Sequence, residues 1–256
     1  MASDTPAILR AFLLATLVAA GGTGFVGQAL AAPETLREGL FGGRTPDGRN
    51  STTAPAVARY VSEDGQSFIL DRTQGRPLLK FENSPEVWAL LPQPAPRGDV
   101  IYKNDLGEPV LRATRLGGVT VFTDTRPGGS AAALAGGATP LKLAPLGPQA
   151  LLERLAQATL RASRAARRLI TFEAEATPAS SALIADAATV AAEAVVRMAR
   201  RGDGKKMLAQ FNKVTLVAGR KPSTVIQQGV MRITVAPGEG LAGRPSSDRI
   251  LATLER

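Results

Sequence analysis

The sequence predicts an α+β protein: an antiparallel β-sheet domain, then an antiparallel helical hairpin, then a closing β segment. Three observations carry this reading. Between Val57 and Thr123, short apolar runs alternate with turn signals at spacings of about 8–12 residues. From Pro148 to Arg201, two long stretches repeat apolar residues at helical spacing. Beyond Gly202 the chain returns to β-branched runs.

The N-terminal 31 residues read as a signal peptide. Arg10 precedes the uncharged run Ala11–Ala20, which has the length of a signal-peptide apolar region and falls short of the roughly 20 residues of a membrane span. Ala29-Leu30-Ala31 offers the small residues that signal peptidase reads, so the mature chain is expected to start at Ala32. Residues 32–56 read as a flexible linker, polar and rich in Gly and Pro.

Residues 57–123 form the antiparallel β domain. The expected strands are Val57–Val61, Ser67–Asp71, Leu78–Phe81, Val87–Leu91, Val100–Tyr102, Val110–Thr114 and Val119–Phe122. Connections this short leave no room for crossover helices, so neighbours pair antiparallel. Trp88, Phe68, Phe81, Tyr102 and Phe122 are the core candidates. Residues 124–147, rich in Gly, Ala and Pro, read as a linker over the surface with a helical turn at Ser130–Leu134.

Residues 148–202 form the helical hairpin. The first helix is expected from Pro148 to Ala176, with Leu151, Leu155, Ala162, Ala166 and Leu169 on one face. The second runs from Ala179 to Arg201 with a stripe of Leu183, Ala187, Val190, Ala194 and Met198. Residues 203–256 supply strands at Thr215–Ala218 and Thr224–Val235, read as completing the N-terminal sheet, and a short helix at Ser247–Leu254.

Composition narrows the chemistry. The chain has neither cysteine nor histidine, which excludes disulfides, thiolate metal sites, Ser-His-Asp triads and nearly all catalytic zinc sites. No metal or cofactor is expected. The formal charge of +9 favours anionic partners. For an exported chain these are anionic lipid, lipopolysaccharide or cell-wall polymer; nucleic acid and a transmembrane helix in the mature chain are not expected. The candidate contacts are Arg154, Arg161, Arg164 and Arg168 of the first helix, with Arg200, Arg201, Lys205 and Lys206. Oligomeric state is not legible.

Several motifs do not carry the chemistry they suggest. Gly21–Gly27 (GGTGFVG) resembles the dinucleotide-binding turn of short-chain dehydrogenases. The second strand which that turn requires is absent after it, and neither Tyr60 nor Tyr102 is followed four residues on by lysine. Asn104, Asp105 and Glu108 lack the spacing of a calcium loop. Ser130 has no lysine base in sequence, and Arg97-Gly98-Asp99 is a chance tripeptide. Asp71, Glu82, Glu86, Asp99, Asp105 and Glu108 are the carboxylates from which an acid–base pair would be drawn.

The segments 84–105 (SPEVWALLPQPAPRGDVIYKND), 114–132 (TRLGGVTVFTDTRPGGSAA) and 243–249 (GRPSSDR) resemble an uncharacterised family of alphaproteobacterial cell-envelope proteins. The resemblance implies a periplasmic or secreted protein and assigns no residue a role. The expected function is a non-enzymatic binding or structural role in the envelope. The alternative is a histidine-free hydrolase of envelope glycans that uses two carboxylates.

Overall fold

The computed structural model describes residues 54–255. The expected signal peptide (residues 1–31) and the expected linker through residue 53 lie outside the described residues. Nine strands follow Ala54: β1 (Val57–Ser62), β2 (Ser67–Asp71), β3 (Leu78–Phe81), β4 (Val87–Ala89), β5 (Leu91–Pro94), β6 (Val100–Lys103), β7 (Pro109–Ala113), β8 (Val119–Thr123) and β9 (Arg126–Gly137). They make one sheet in the order β4-β3-β2-β1-β9-β8-β7-β6-β5, antiparallel at every pairing. The edge strands β4 and β5 are consecutive in the chain, joined through buried Leu90. The sheet is therefore rolled, and a single residue carries the chain from one edge to the other.

Alternation explains the roll. Ala58, Tyr60 and Ser62 of β1, Phe68 and Leu70 of β2, and Val119 and Val121 of β8 point inward at period two. Together with Leu79, Tyr102 and Leu111 from other strands they form a single core. Tyr60 stacks on Phe68 with ring centroids 5.4 Å apart, and the aromatic chain continues through Phe81 to the edge of Trp88.

β9 stands where a surface linker was expected. It is a central strand, paired with both β1 and β8. Its sequence, RPGGSAAALAGG, carries no alternation because Ala and Gly look alike inside and outside. At Gly129 the small residue is required: φ is +87°, and a Cβ would lie 2.6 Å from Thr120 Cγ2 and 2.9 Å from the Phe122 ring.

The second half comprises α1 (Pro148–Ala166), β10 (Thr171–Glu175), α2 (Ser181–Ala199), α3 (Gly204–Leu208), β11 (Lys213–Ala218), β12 (Ser223–Gln227), β13 (Val230–Val235) and α4 (Ser247–Leu254). The α+β class and the order of its parts hold. Three details are corrected. α1 stops at Ala166 rather than Ala176, because Arg167 turns left-handed at φ 53°. The Arg167 N–H then bonds to Arg164 O and the Arg168 N–H to Ser163 O, a helix-closing pattern usually built on glycine. The chain next forms β10, whose edge is held to α1 by hydroxyls: Ile170 N donates to Ser163 Oγ and Phe172 N to Thr159 Oγ1.

Because β10 runs back along α1, α2 lies parallel to α1, and the two helices are not an antiparallel hairpin. Side-chain contacts fix the direction. Ser181 Oγ at the start of α2 bonds Leu146 O just before α1, and Arg161 near the end of α1 pairs with Glu193 near the end of α2. Spin labels at positions 164 and 200 are expected to broaden each other's continuous-wave spectra. An antiparallel hairpin would part them by roughly 28 Å, the length of 19 helical residues. The chain has no native cysteine to remove before labelling.

The third correction concerns the closing β segment. It does not extend the rolled sheet; it joins β10 in a second sheet of order β10-β11-β13-β12, in which β10–β11 and β11–β13 are parallel. The single run expected over Thr224–Val235 is a hairpin, turned at Gln228 (φ 49°) and Gly229 (φ 77°). α2 is buried nearly all round, with Ile184, Ala188, Val190, Ala191 and Val195 fully enclosed between α1, the second sheet and α4.

Candidate functional site: a basic pole and an adjoining cleft

The parallel helices end side by side, and their arginines end with them. Arg161 and Arg164 lie in the last turns of α1, Arg197 in the last turn of α2 and Arg200 just beyond it. Arg161, Arg164 and Val196 line one surface groove; Arg161, Arg197 and Arg200 line the cleft beside it. Lys205 and Lys206 follow on α3. In an antiparallel hairpin these two groups would sit at opposite ends.

Not all eight candidates are free. Arg161 is paired with Glu193, and Arg201 with Glu255 and Asp203. Arg168 turns inward and donates to the carbonyls of Leu208 and Phe211, so it closes the helix end. Arg154, Arg164, Arg200, Lys205 and Lys206 are exposed and have no carboxylate partner among the described residues; so is Arg167, which sequence reasoning did not single out. Arg154 stands apart, about two turns before Arg161. Part of this charge answers the helices themselves, since cations at a helix C-terminus oppose its partial negative charge. Two helix ends do not require this many.

The cleft beside the pole has a volume of about 540 Å³. One wall is the rolled sheet, with half-buried Trp88 and Phe122; the other is the ends of α1 and α2 and the start of α4. At its base lies an ion network that clasps the two halves together. Glu86, preceding β4, accepts from Ser247 N at 2.9 Å and Ser247 Oγ at 2.5 Å. Arg244 Nη1 is 3.5 Å from Glu86 Oε1, both side chains 2% exposed, and Arg244 also pairs with Asp186 and donates to Val87 O at 2.7 Å. Arg197 donates to Asp248 at 2.7 Å and to Ser247 Oγ at 2.7 Å. The segment 243–249 supplies most of these contacts, and Ser246 within it caps α4 by accepting from Arg249 N. Burial pushes the Glu86 carboxyl up; Arg244 and the Ser247 bonds draw it back only in part.

The remaining carboxylates are spent separately. Asp71 accepts from Thr73 and from Leu141 N; Glu82 pairs with Arg59; Asp99 accepts from Arg112 and Arg115 N; Asp105 accepts from Ser246 N and Oγ. Glu108 accepts from Asn104 Nδ2, and the Asn104 oxygen takes Leu106 N and Glu108 N, which closes the turn. These five acids have separate structural duties, but Glu108 also lines the cleft, together with Glu86, Asp124, Glu193 and Asp248. The bonds from Arg112 and Arg115 N hold the Asp99 carboxyl below the usual range. Among the described residues no group of three or more His, Cys, Asp or Glu could hold a metal ion. Arg97-Gly98-Asp99 is a tight turn with Arg97 at φ 66°, and Ser130 is a buried strand residue opposite Val121. A larger groove of about 650 Å³, between Leu78, Leu141, Leu143 and Leu241, gathers no such set of charges. No helix among the described residues is long and apolar enough to cross a membrane.

Rolled sheet, parallel helices and clasped cleft define a mixed α+β fold with one basic pole. The chain belongs to the family described as a domain of unknown function, DUF4908, whose model matches residues 35–254. No curated protein and no solved structure matches it.

Proposed function

We propose that this is an exported cell-envelope protein, periplasmic or secreted, that binds anionic envelope components and does not transform them. The observation that carries the reading is the convergence of Arg164, Arg167, Arg200, Lys205 and Lys206 at the shared end of two parallel helices. A cluster of exposed cations attracts anionic lipid head groups, lipopolysaccharide phosphates or acidic wall polymers. The signal-peptide pattern of residues 1–31 and the resemblance of segments 84–105, 114–132 and 243–249 to envelope proteins support export. Glu86 and Glu108 line the same cleft, but both are already engaged, Glu86 by Ser247 and Arg244 and Glu108 by Asn104, which favours binding over two-carboxylate hydrolysis.

The test is co-sedimentation of the mature protein with anionic vesicles and with isolated cell wall, at low and at high salt. Binding to at least one, weakened by salt, is expected. Salt-insensitive binding, or none to either, rejects the reading.

A further inference from the structure

We infer that α1 lies along an anionic phospholipid surface, with Leu152 and Leu160 inserted among the lipids and the basic pole at its end holding the head-group phosphates. This rests on the reading of the chain as a binder of anionic envelope components and names a lipid bilayer as the one it selects.

Three observations lead there. First, the most open large apolar side chains among the described residues are Leu116, Leu152, Leu160 and Leu169, exposed by 84%, 61%, 65% and 67%. Three of these four belong to α1 or to the turn that closes it. The core does not need them, since α1 already packs inward through Leu151, Leu155, Ala158 and Ala162. A second apolar row that faces water is free for a partner.

Second, that row runs into the basic pole. Leu152, Ala156 and Leu160 recur at every fourth position, all exposed, and the next step of the row is Arg164. Leu160, Arg161, Arg164 and half-buried Val196 of α2 line one surface groove. Arg167 and Leu169 follow within the next turn, both exposed.

Third, the charge and length of the helix suit an interface. Glu153 is the one acid of α1, against Arg154, Arg161 and Arg164. No helix among the described residues is long and apolar enough to cross a membrane. A helix that cannot span, with a leucine row bordered by arginines, fits the boundary between head groups and acyl chains. A hydrated wall polymer neutralises the arginines but leaves the leucines in water; a bilayer covers both.

Co-sedimentation of the mature protein is measured with vesicles of phosphatidylglycerol and phosphatidylcholine, with vesicles of phosphatidylcholine alone, and with isolated cell wall. The tightest binding is expected in the first arm. Leu152→Ser together with Leu160→Ser is expected to weaken it roughly tenfold. Leu116→Ser together with Leu134→Ser, which removes exposed apolar surface elsewhere, is expected to leave it unchanged. A nitroxide on Leu160→Cys is expected to lose access to a water-soluble relaxant when the anionic vesicles are added, and one on Leu116→Cys to keep it. Anionic-vesicle binding that the Leu152 and Leu160 substitutions leave unchanged, with the label at 160 still open to water, overturns the insertion and leaves the basic pole standing. Binding to cell wall alone also overturns it, and leaves the anionic-partner reading standing. No binding in any arm removes both.

Discussion

Arg244→Ala is expected to destabilise the protein by about 3–5 kcal/mol, read as a shift of the urea unfolding midpoint at unchanged slope. Arg244 is the one cation among the described residues in contact with both Glu86 and Asp186, and it also satisfies the Val87 carbonyl. Truncation leaves a 2% exposed carboxylate without its counter-ion in a site that water does not reach. The loss differs in kind from cutting a surface pair such as Arg59–Glu82, where both partners are about half exposed and at most about 1 kcal/mol is at stake. The same clasp sets a pH dependence. Glu86 is raised in the folded protein, so its contribution to stability is complete below the ordinary glutamate range near about 4.3 and is lost as pH rises through the folded value. Glu86→Gln is therefore expected to gain on the wild type as pH rises from about 4 to about 8. A stability difference that stays flat over that span would refute this account of Glu86.

Neutralising Arg164, Arg167, Arg200, Lys205 and Lys206 together to Gln is expected to weaken binding to anionic vesicles by about three orders of magnitude. The figure follows from about 1 kcal/mol per cation at an anionic surface, reduced for the two helix-end charges closest to their own carbonyls. Folding should change little, because all five side chains are exposed and none pairs with a carboxylate among the described residues. The variant keeps Arg161–Glu193, Arg168 and Arg201, the cations that hold the helix ends together.

The parts of the fold that were legible in sequence are those with period and punctuation. Strands β1, β2 and β8 alternate and end at turn residues, and α4 has the bounds the sequence predicts, Ser247–Leu254. What escaped lacked such signals. β9 is built of alanine and glycine, whose small side chains carry no pattern. α1 ends on an arginine in the conformation where glycine is the usual marker, so nothing in the letters separates it from β10. That hidden strand decides the orientation of α2 and with it the position of every basic residue of the pole. The cationic residues were readable as a type; their convergence was not. Arg197 carries only a faint signal in sequence: it sits between Val195 and Met198 on an apolar helix, where a charge needs a partner. Arg244 carries none, because an arginine in a loop segment ordinarily faces water.

Position, not total charge, makes the pole. Two variants of equal net charge test it most directly: one with Arg164, Arg167, Arg200, Lys205 and Lys206 changed to Gln, the other with the exposed cations Arg97, Arg115, Arg126, Lys142 and Arg220 changed to Gln. Co-sedimentation with anionic vesicles at low salt should show the second variant binding close to the wild type and the first hardly at all. Equal losses in both would mean that bulk charge alone draws the protein to its partner, and the pole would have no special part in it.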